Sequence, residues 1–93
     1  MSELLRIIDE YKDAHGQPSD SSIARAVGIA PQTLSSWRKR GVRQPPSIDT
    51  LRRLADFMHV NYEDYLLQAV LVDTGYRDAM PEPPSQQEER GVG

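Results

Sequence analysis

Three short polar side chains between positions 31 and 37 have the chemistry to recognise a nucleic-acid base. Gln32, Thr33 and Ser36 recur at helical spacing, so one face of a helix would carry all three. A glutamine amide presents a donor and an acceptor together, which matches N6 and N7 of adenine in the major groove, and a hydroxyl group can bond a base or a phosphate. The pattern predicts base contacts by these three residues; ordinary surface polarity is the alternative.

Basic side chains follow at the end of the same predicted helix and in the loop after it. The run comprises Arg38, Lys39, Arg40 and Arg43. Cations at this position complement the helix dipole whatever the function, and they would also reach a sugar-phosphate backbone without reading its sequence. A solvated basic helix end is the alternative. The residues predicted to contact the DNA backbone are Ser19, Ser22, Lys39, Arg40, Arg43 and Gln44.

The net charge of the 93-residue chain is −3, which by itself argues against a nucleic-acid partner. Its distribution reverses that inference. Residues 31–53 carry six basic and one acidic side chain, whereas residues 1–30 carry three and five, and residues 54–93 carry two and eight. A basic block between two acidic blocks would attract phosphate locally and favour one docking orientation.

Stretch 20–40 has the pattern of two short helices joined by a tight turn. Gly28 supplies the left-handed residue that such a turn needs, and Ala24 leaves room for the second helix to approach. Pro31 stands where the second helix should begin, a position that tolerates proline because its N–H would be unpaired. With Leu34 and Trp37 turned inward, the stretch predicts a helix-turn-helix.

These residues resemble those of the phage repressor and Cro-like helix-turn-helix domains, also called the xenobiotic-response-element family. The resemblance covers about residues 3–70, and the run Leu34–Gly41 looks most like temperate-phage repressors. It rests on Ile23-Ala24, Gly28-Ile29, Leu34, Trp37, Gly41, Pro46-Ser47, Leu51 and Leu54-Ala55. In many members the glycine after the Trp37 position comes one residue earlier. The resemblance implies an all-α, compact five-helix, lambda-repressor-like DNA-binding domain.

Apolar periodicity and caps predict five helices, over about 3–14, 20–27, 31–40, 48–59 and 62–73. Four residues are expected to cap them: Ser2, Ser19, Ser47 and Asn61. Arg52 and Arg53 lie off the apolar stripe of the fourth helix, where they would add phosphate contacts or pair with carboxylates. Residues 1–75 are therefore expected to form the domain, and residues 76–93 a disordered, acidic and proline-rich tail.

The fifth predicted helix is apolar on more than one face, so it is either widely buried or faces a second protein surface. The family resemblance implies dimerisation through this helix. A homodimer contact through Leu66, Leu67, Val70 and Leu71 is the favoured interpretation, with two recognition helices entering successive major grooves. A monomer with one wide core contact is the alternative.

The residues needed for other chemistry are missing from the sequence. There is no cysteine, and His15 and His59 stand apart from each other and from clustered carboxylates, so neither a metal site, a cofactor nor an enzymatic activity is expected. No apolar run approaches the length of a membrane span, and the beginning of the chain does not resemble a signal peptide. The expected location is the cytoplasm of a bacterial cell.

The leading hypothesis is a sequence-specific transcriptional regulator that binds a double-stranded DNA operator, as a phage or prophage immunity repressor or Cro-like protein that blocks a promoter. Two alternatives remain open. One is an antitoxin-type autorepressor whose acidic C-terminal segment grips a toxin. The other is a protein–protein adaptor that uses the helical domain only as a scaffold.

Overall fold

The computed structural model describes residues 2–81, which form a bundle of five helices without a strand in that range. The helices are α1 (Glu3–Ala14), α2 (Asp20–Val27), α3 (Pro31–Arg40), α4 (Ile48–Met58) and α5 (Leu67–Asp73), and a π-helical segment over Tyr62–Leu66 leads directly into α5. The predicted all-α fold is therefore confirmed. Most of the predicted tail lies outside the described residues. No helix within residues 2–81 is long and apolar enough to cross a membrane.

Local side-chain caps set where the helices begin. The Oγ atoms of Ser2, Ser19 and Ser47 each accept a hydrogen bond from the backbone N–H three residues later, and Asn61 Oδ1 does the same for Asp64 over 2.8 Å. Each cap satisfies one of the N–H groups that a helix leaves without a carbonyl. All four predicted caps are confirmed.

The turn between α2 and α3 is built as the sequence predicts. Gly28 is left-handed, with φ 76° and ψ 29°, and its N–H points back to the carbonyl groups of Ala24 and Arg25. Pro31 is the first residue of α3. A Cβ atom built on Gly28 would lie 2.7 Å from Nη1 of Arg53, so the Arg53 side chain of α4 covers the turn.

The core is formed by aliphatic side chains from every helix, with α2 packed on α3 and α4, and α5 packed on α1. Trp37 is half-buried and packs against this core, as expected of a structural indole. The fully buried large side chains are Leu4, Ile8, Ile23, Leu34, Leu51, Leu54, Leu66 and Val70. Two of these, Leu66 and Val70, belong to the predicted dimer contact, and their burial within the protomer removes them from any surface that a second copy would meet.

Asp73 joins the two ends of the described fold. Its Oδ2 accepts hydrogen bonds from Ser2 Oγ over 2.6 Å and from the Leu4 N–H over 3.0 Å, and its Oδ1 accepts from the Glu3 N–H over 2.6 Å. A carboxylate at the end of α5 is unfavourable for the dipole of its own helix but favourable at the positive N-terminus of α1. The contact therefore fastens α5 to α1.

Beyond α5 the chain stays close to the bundle for a few residues. The N–H groups of Tyr76 and Arg77 donate to the Leu71 carbonyl over 2.8 and 3.1 Å, and Met80 packs against the core. Tyr76, by contrast, is 73% exposed. The described residues end at Pro81, directly after Met80, which anchors this part of the chain to the core.

Candidate nucleic-acid interface

Helix α3 turns one apolar edge inward and a polar face outward. Leu34 is 1% exposed, whereas Gln32, Thr33 and Ser36 are all exposed. Residues three and four positions apart are neighbours on a helix surface, so the three side chains form one strip. Their placement leaves amide and hydroxyl groups free to approach the base edges of a duplex.

Three cations lie at the end of this strip and just beyond it. Lys39, Arg40 and Arg43 are exposed, and none of them forms a salt bridge within residues 2–81. Arg43 Nε donates to the Arg40 carbonyl over 3.4 Å, a weak contact that leaves the rest of its guanidinium group open. These charges remain available to a polyanion.

Arg38 differs from its basic neighbours because its guanidinium group donates four hydrogen bonds to carboxylates of two other helices. It donates to Asp9 over 2.7 and 3.1 Å and to Asp20 over 2.9 and 3.1 Å. These bonds join α3 to α1 and α2. Because four of its N–H groups are committed to these carboxylates, Arg38 has less capacity for phosphate than its neighbours, and its contact with the DNA backbone stays a prediction.

The same contacts neutralise a carboxylate at the start of α2. Hydrogen bonds from Arg38, and then from Lys12 at 2.9 Å, hold the pKa of Asp20 below its ordinary value, against the opposing effect of partial burial. The hydrogen bonds that Arg38 donates to Asp9 and Asp20 raise the pKa of Arg38 further above its ordinary value. The ionised state of the cluster is thereby stabilised, and the negative charge beside the N-terminus of α2 is compensated.

The two predicted backbone contacts on α2 are both exposed but differ in what they can donate. Ser19 Oγ accepts from the Ser22 N–H over 3.1 Å, and its own O–H remains free to point outward. Ser22 Oγ donates to the Ser19 carbonyl over 2.8 Å. Because a phosphate oxygen only accepts hydrogen bonds, Ser19 suits a phosphate contact better than Ser22 does.

The loop after α3 is anchored by a residue that the sequence analysis did not single out. Val42 is 3% exposed and belongs to the core, while Arg43 and Gln44 on its C-terminal side are exposed. Gly41 precedes it with φ 82° and ψ 171°, a backbone region that only glycine adopts readily. An isolated valine between glycine and arginine is the only local signal for this anchor.

Two open grooves flank the end of α3 and share several residues. The reading groove is lined by Thr33, Ser36, Gln44 and the first turn of α4, and the α1–α5 groove by Leu5, Val72 and Asp73. Trp37, Arg40, Gly41 and Arg43 line both grooves. The ridge between the grooves therefore carries two of the three cations, Arg40 and Arg43, that lie at the end of the polar strip and form no salt bridge within residues 2–81.

Arg52 and Arg53 extend the basic block in sequence but are held by neighbours on the surface. Arg53 Nε lies 3.0 Å from Asp49 Oδ2, and the Arg52 guanidinium carbon lies 5.2 Å from the centroid of the Tyr62 ring. The predicted alternative of pairing with a carboxylate is confirmed for Arg53, and Arg52 forms a cation–π contact.

A family model described as helix-turn-helix matches residues 19–65, from the N-cap of α2 to the π-helical segment. The match spans just over half of the chain and includes the whole predicted interface, whereas α1 and α5 lie outside it. No curated protein and no solved structure matches the chain. The chain therefore belongs to the helix-turn-helix family of the xenobiotic-response-element, Cro and repressor type, and is a DNA-binding transcription regulator.

Proposed function

We propose that this protein is a sequence-specific repressor of the temperate-phage or Cro type, which binds a double-stranded operator and blocks a promoter. The observation that carries the proposal is the composition of one surface. The exposed polar strip of α3 ends in three cations without a salt bridge in the described fold, and two carboxylates of the neighbouring helices, Asp9 and Asp20, are neutralised by Arg38 of the same helix.

In this proposal the strip of α3 enters the major groove. Gln32 reads adenine through its amide group, and Thr33 and Ser36 bond a base or offer a small apolar surface to a thymine methyl group. The reading groove continues from Thr33 and Ser36 to Gln44 and the start of α4. Base readout and backbone contact then lie on one continuous surface.

In this proposal, the affinity for DNA comes mainly from contacts with its sugar-phosphate backbone. Lys39, Arg40 and Arg43 neutralise phosphates, while Ser19 and Gln44 donate neutral hydrogen bonds to phosphate oxygens. Contacts of this kind position the protein without reading sequence, so they govern the salt dependence of binding.

The operator-bound form is proposed to be a homodimer that contacts two half-sites. Leu67 and Leu71 are half-buried and lie one turn apart on α5, so they supply the apolar surface that remains from the predicted four-residue contact. A two-fold dimer would place the two α3 helices about 34 Å apart on a palindromic operator.

A fluorescence-anisotropy titration tests the proposal, with the intergenic DNA beside the gene and a random duplex of equal length at two salt concentrations. Specific binding should be at least about a thousandfold tighter than binding to the random duplex. Equal affinity for both duplexes would contradict sequence-specific repression. Absence of binding to either duplex would favour the adaptor alternative.

A further inference from the structure

The α1–α5 groove offers positive charge beside an apolar surface. Its carboxylates are already engaged: Asp9 accepts from Arg38, and Asp73 caps α1. Its exposed cations without a salt bridge within residues 2–81 are Arg40 and Arg43. Leu5, Trp37 and Val72 supply apolar contact area. The groove therefore suits an extended acidic peptide that also carries apolar residues.

The chain itself contains such a peptide directly after the described fold. Residues 82–89 include Glu82, Glu88 and Glu89, together with Pro83 and Pro84, and contain no basic residue. Prolines limit the conformations of an unbound segment, which lowers the entropy lost when the segment is ordered.

The peptide follows α5, whose last two residues line the groove, after eight intervening residues. Val72 and Asp73 line the groove, and Met80 holds the following chain against the core. The segment from Pro81 to Glu88 spans at most about 25 Å when it is fully extended. That length is comparable with the shorter dimensions of the described fold, 29 and 23 Å.

We propose that the acidic segment Glu82–Glu89 occupies the α1–α5 groove of its own chain and competes with DNA phosphate for Arg40 and Arg43. The inference rests on the proposed function, because the competitor is the operator backbone. Arg40 and Arg43 line both grooves, so a carboxylate on one side of the ridge lowers the positive charge offered on the other. The segment thereby weakens DNA binding without touching the base-reading residues.

The first test measures occupancy of the groove without DNA. Backbone amide and indole N–H chemical shifts are compared between the full chain and its E82Q/E88Q/E89Q variant. A D56N/E63Q/D64N variant gives the same change of net charge at residues outside the groove. We expect shift changes at Trp37, Gly41, Val42, Arg43 and Val72 in the first variant only.

Two outcomes of this test overturn the proposal whether or not the protein binds DNA. One is that the shifts at the groove are unchanged by E82Q/E88Q/E89Q. The other is that the shift differences disappear on dilution, which would place the segment in the groove of a second copy.

The second test compares the DNA affinity of the same three proteins. Loss of two exposed ion-pair contacts should raise the affinity of E82Q/E88Q/E89Q for both operator and random duplex about threefold to tenfold relative to the control, and the gain should shrink as salt is added. If DNA affinity rose equally in both variants, the effect would come from net charge alone, and the proposed competition would be wrong. Shift changes in the groove without DNA binding by any of the proteins would refute the proposed function instead.

Discussion

Arg38 of α3 and Asp20 of α2 form a two-point contact, in which Nε and Nη2 donate to the two carboxylate oxygens over 2.9 and 3.1 Å. The same guanidinium group reaches Asp9 of α1. A planar guanidinium group bonded to two carboxylates constrains the relative orientation of the helices that carry them as well as their distance. The proposed recognition helix is therefore fixed against both preceding helices by one basic side chain within a run of four.

The substitution Arg38→Gln is expected to lower both stability and DNA affinity. Because the side chains of the cluster are partly solvent-exposed, the free energy of unfolding should fall by only about 1 kcal/mol. Affinity should fall several-fold because Asp9 and Asp20 would then repel phosphate. Urea denaturation and anisotropy titration measure the two effects.

Arg40→Gln is the matched control, since it removes an exposed charge without a salt bridge in the described fold. It should weaken DNA binding and leave the urea midpoint unchanged. If Arg38→Gln behaved in the same way as Arg40→Gln, Arg38 would act on DNA directly rather than by positioning α3.

The ion pairs of Asp20 should make part of the protein's stability sensitive to acid. Its pKa is lowered in the folded protein by Arg38 and then Lys12, so the unfolded chain takes up the proton first as the pH falls. The contribution is complete above the ordinary value of 3.8 and is lost as the pH falls through the lower folded value. Asp20→Asn should flatten the dependence of the unfolding free energy on pH below about 4. Asp56→Asn controls for net charge, and an unchanged slope in Asp20→Asn would contradict the ion-pair assignment.

Local signals were sufficient to predict the helices and the turn. Ser19 lies three residues before the N–H that it caps, and Gly28 lies three and four residues after the carbonyl groups that its N–H approaches, so residues close in sequence determine both features. The polar strip of α3 follows from spacing alone once Leu34 is placed inside. Exposure of Gln32, Thr33 and Ser36 was therefore predictable from the sequence.

The long-range contacts could not be predicted, because many pairings were possible. Arg38 reaches Asp9 across 29 positions, and Asp73 reaches Ser2 across 71. Only packing decides which of the 14 acidic side chains meets which cation. The one hint for Asp73 is its unfavourable place at the end of a helix. Burial of Leu66 and Val70 depends on the rotation of the last helix, which a sequence apolar on several faces does not define.

Gly41 should be required for the conformation of the loop that carries Arg43. Nothing lies within 4 Å of a Cβ built there, so the cost of Gly41→Ala comes from the backbone, at φ 82° and ψ 171°. A loss of about 1–3 kcal/mol is expected in thermal or urea unfolding, together with weaker DNA binding as Val42 and Arg43 shift. Gly75→Ala, at φ 88° beyond α5, is the control and should reduce stability while the folded protein keeps its affinity. If both variants bound DNA with equal affinity, the conformation of Gly41 would not be needed for DNA binding.

Leu71 should contribute to self-association. Replacing this half-buried side chain with serine removes apolar surface from α5 and should raise the dimer dissociation constant about tenfold, as measured by sedimentation equilibrium over a range of concentrations. Ile48 is 63% exposed on α4, and Ile48→Ser should have no effect on association. A monomeric mass for the unmodified protein at every concentration would contradict the proposed dimer.

Gln32 and Arg43 should separate base reading from backbone binding. Gln32→Ala removes a paired donor and acceptor, so discrimination should fall by about 1–3 kcal/mol at one or two base pairs of the operator while binding to random duplex is unchanged. Arg43→Ala removes one exposed charge, so binding to every duplex should weaken and the slope of log affinity against log salt should decrease by about one. Competition titrations with single-base operator variants at several salt concentrations measure both effects. If the Gln32→Ala variant keeps the base preferences of the unmodified protein, the Gln32 amide does not read a base. If the salt slope is unchanged in the Arg43→Ala variant, the Arg43 guanidinium group does not contact phosphate.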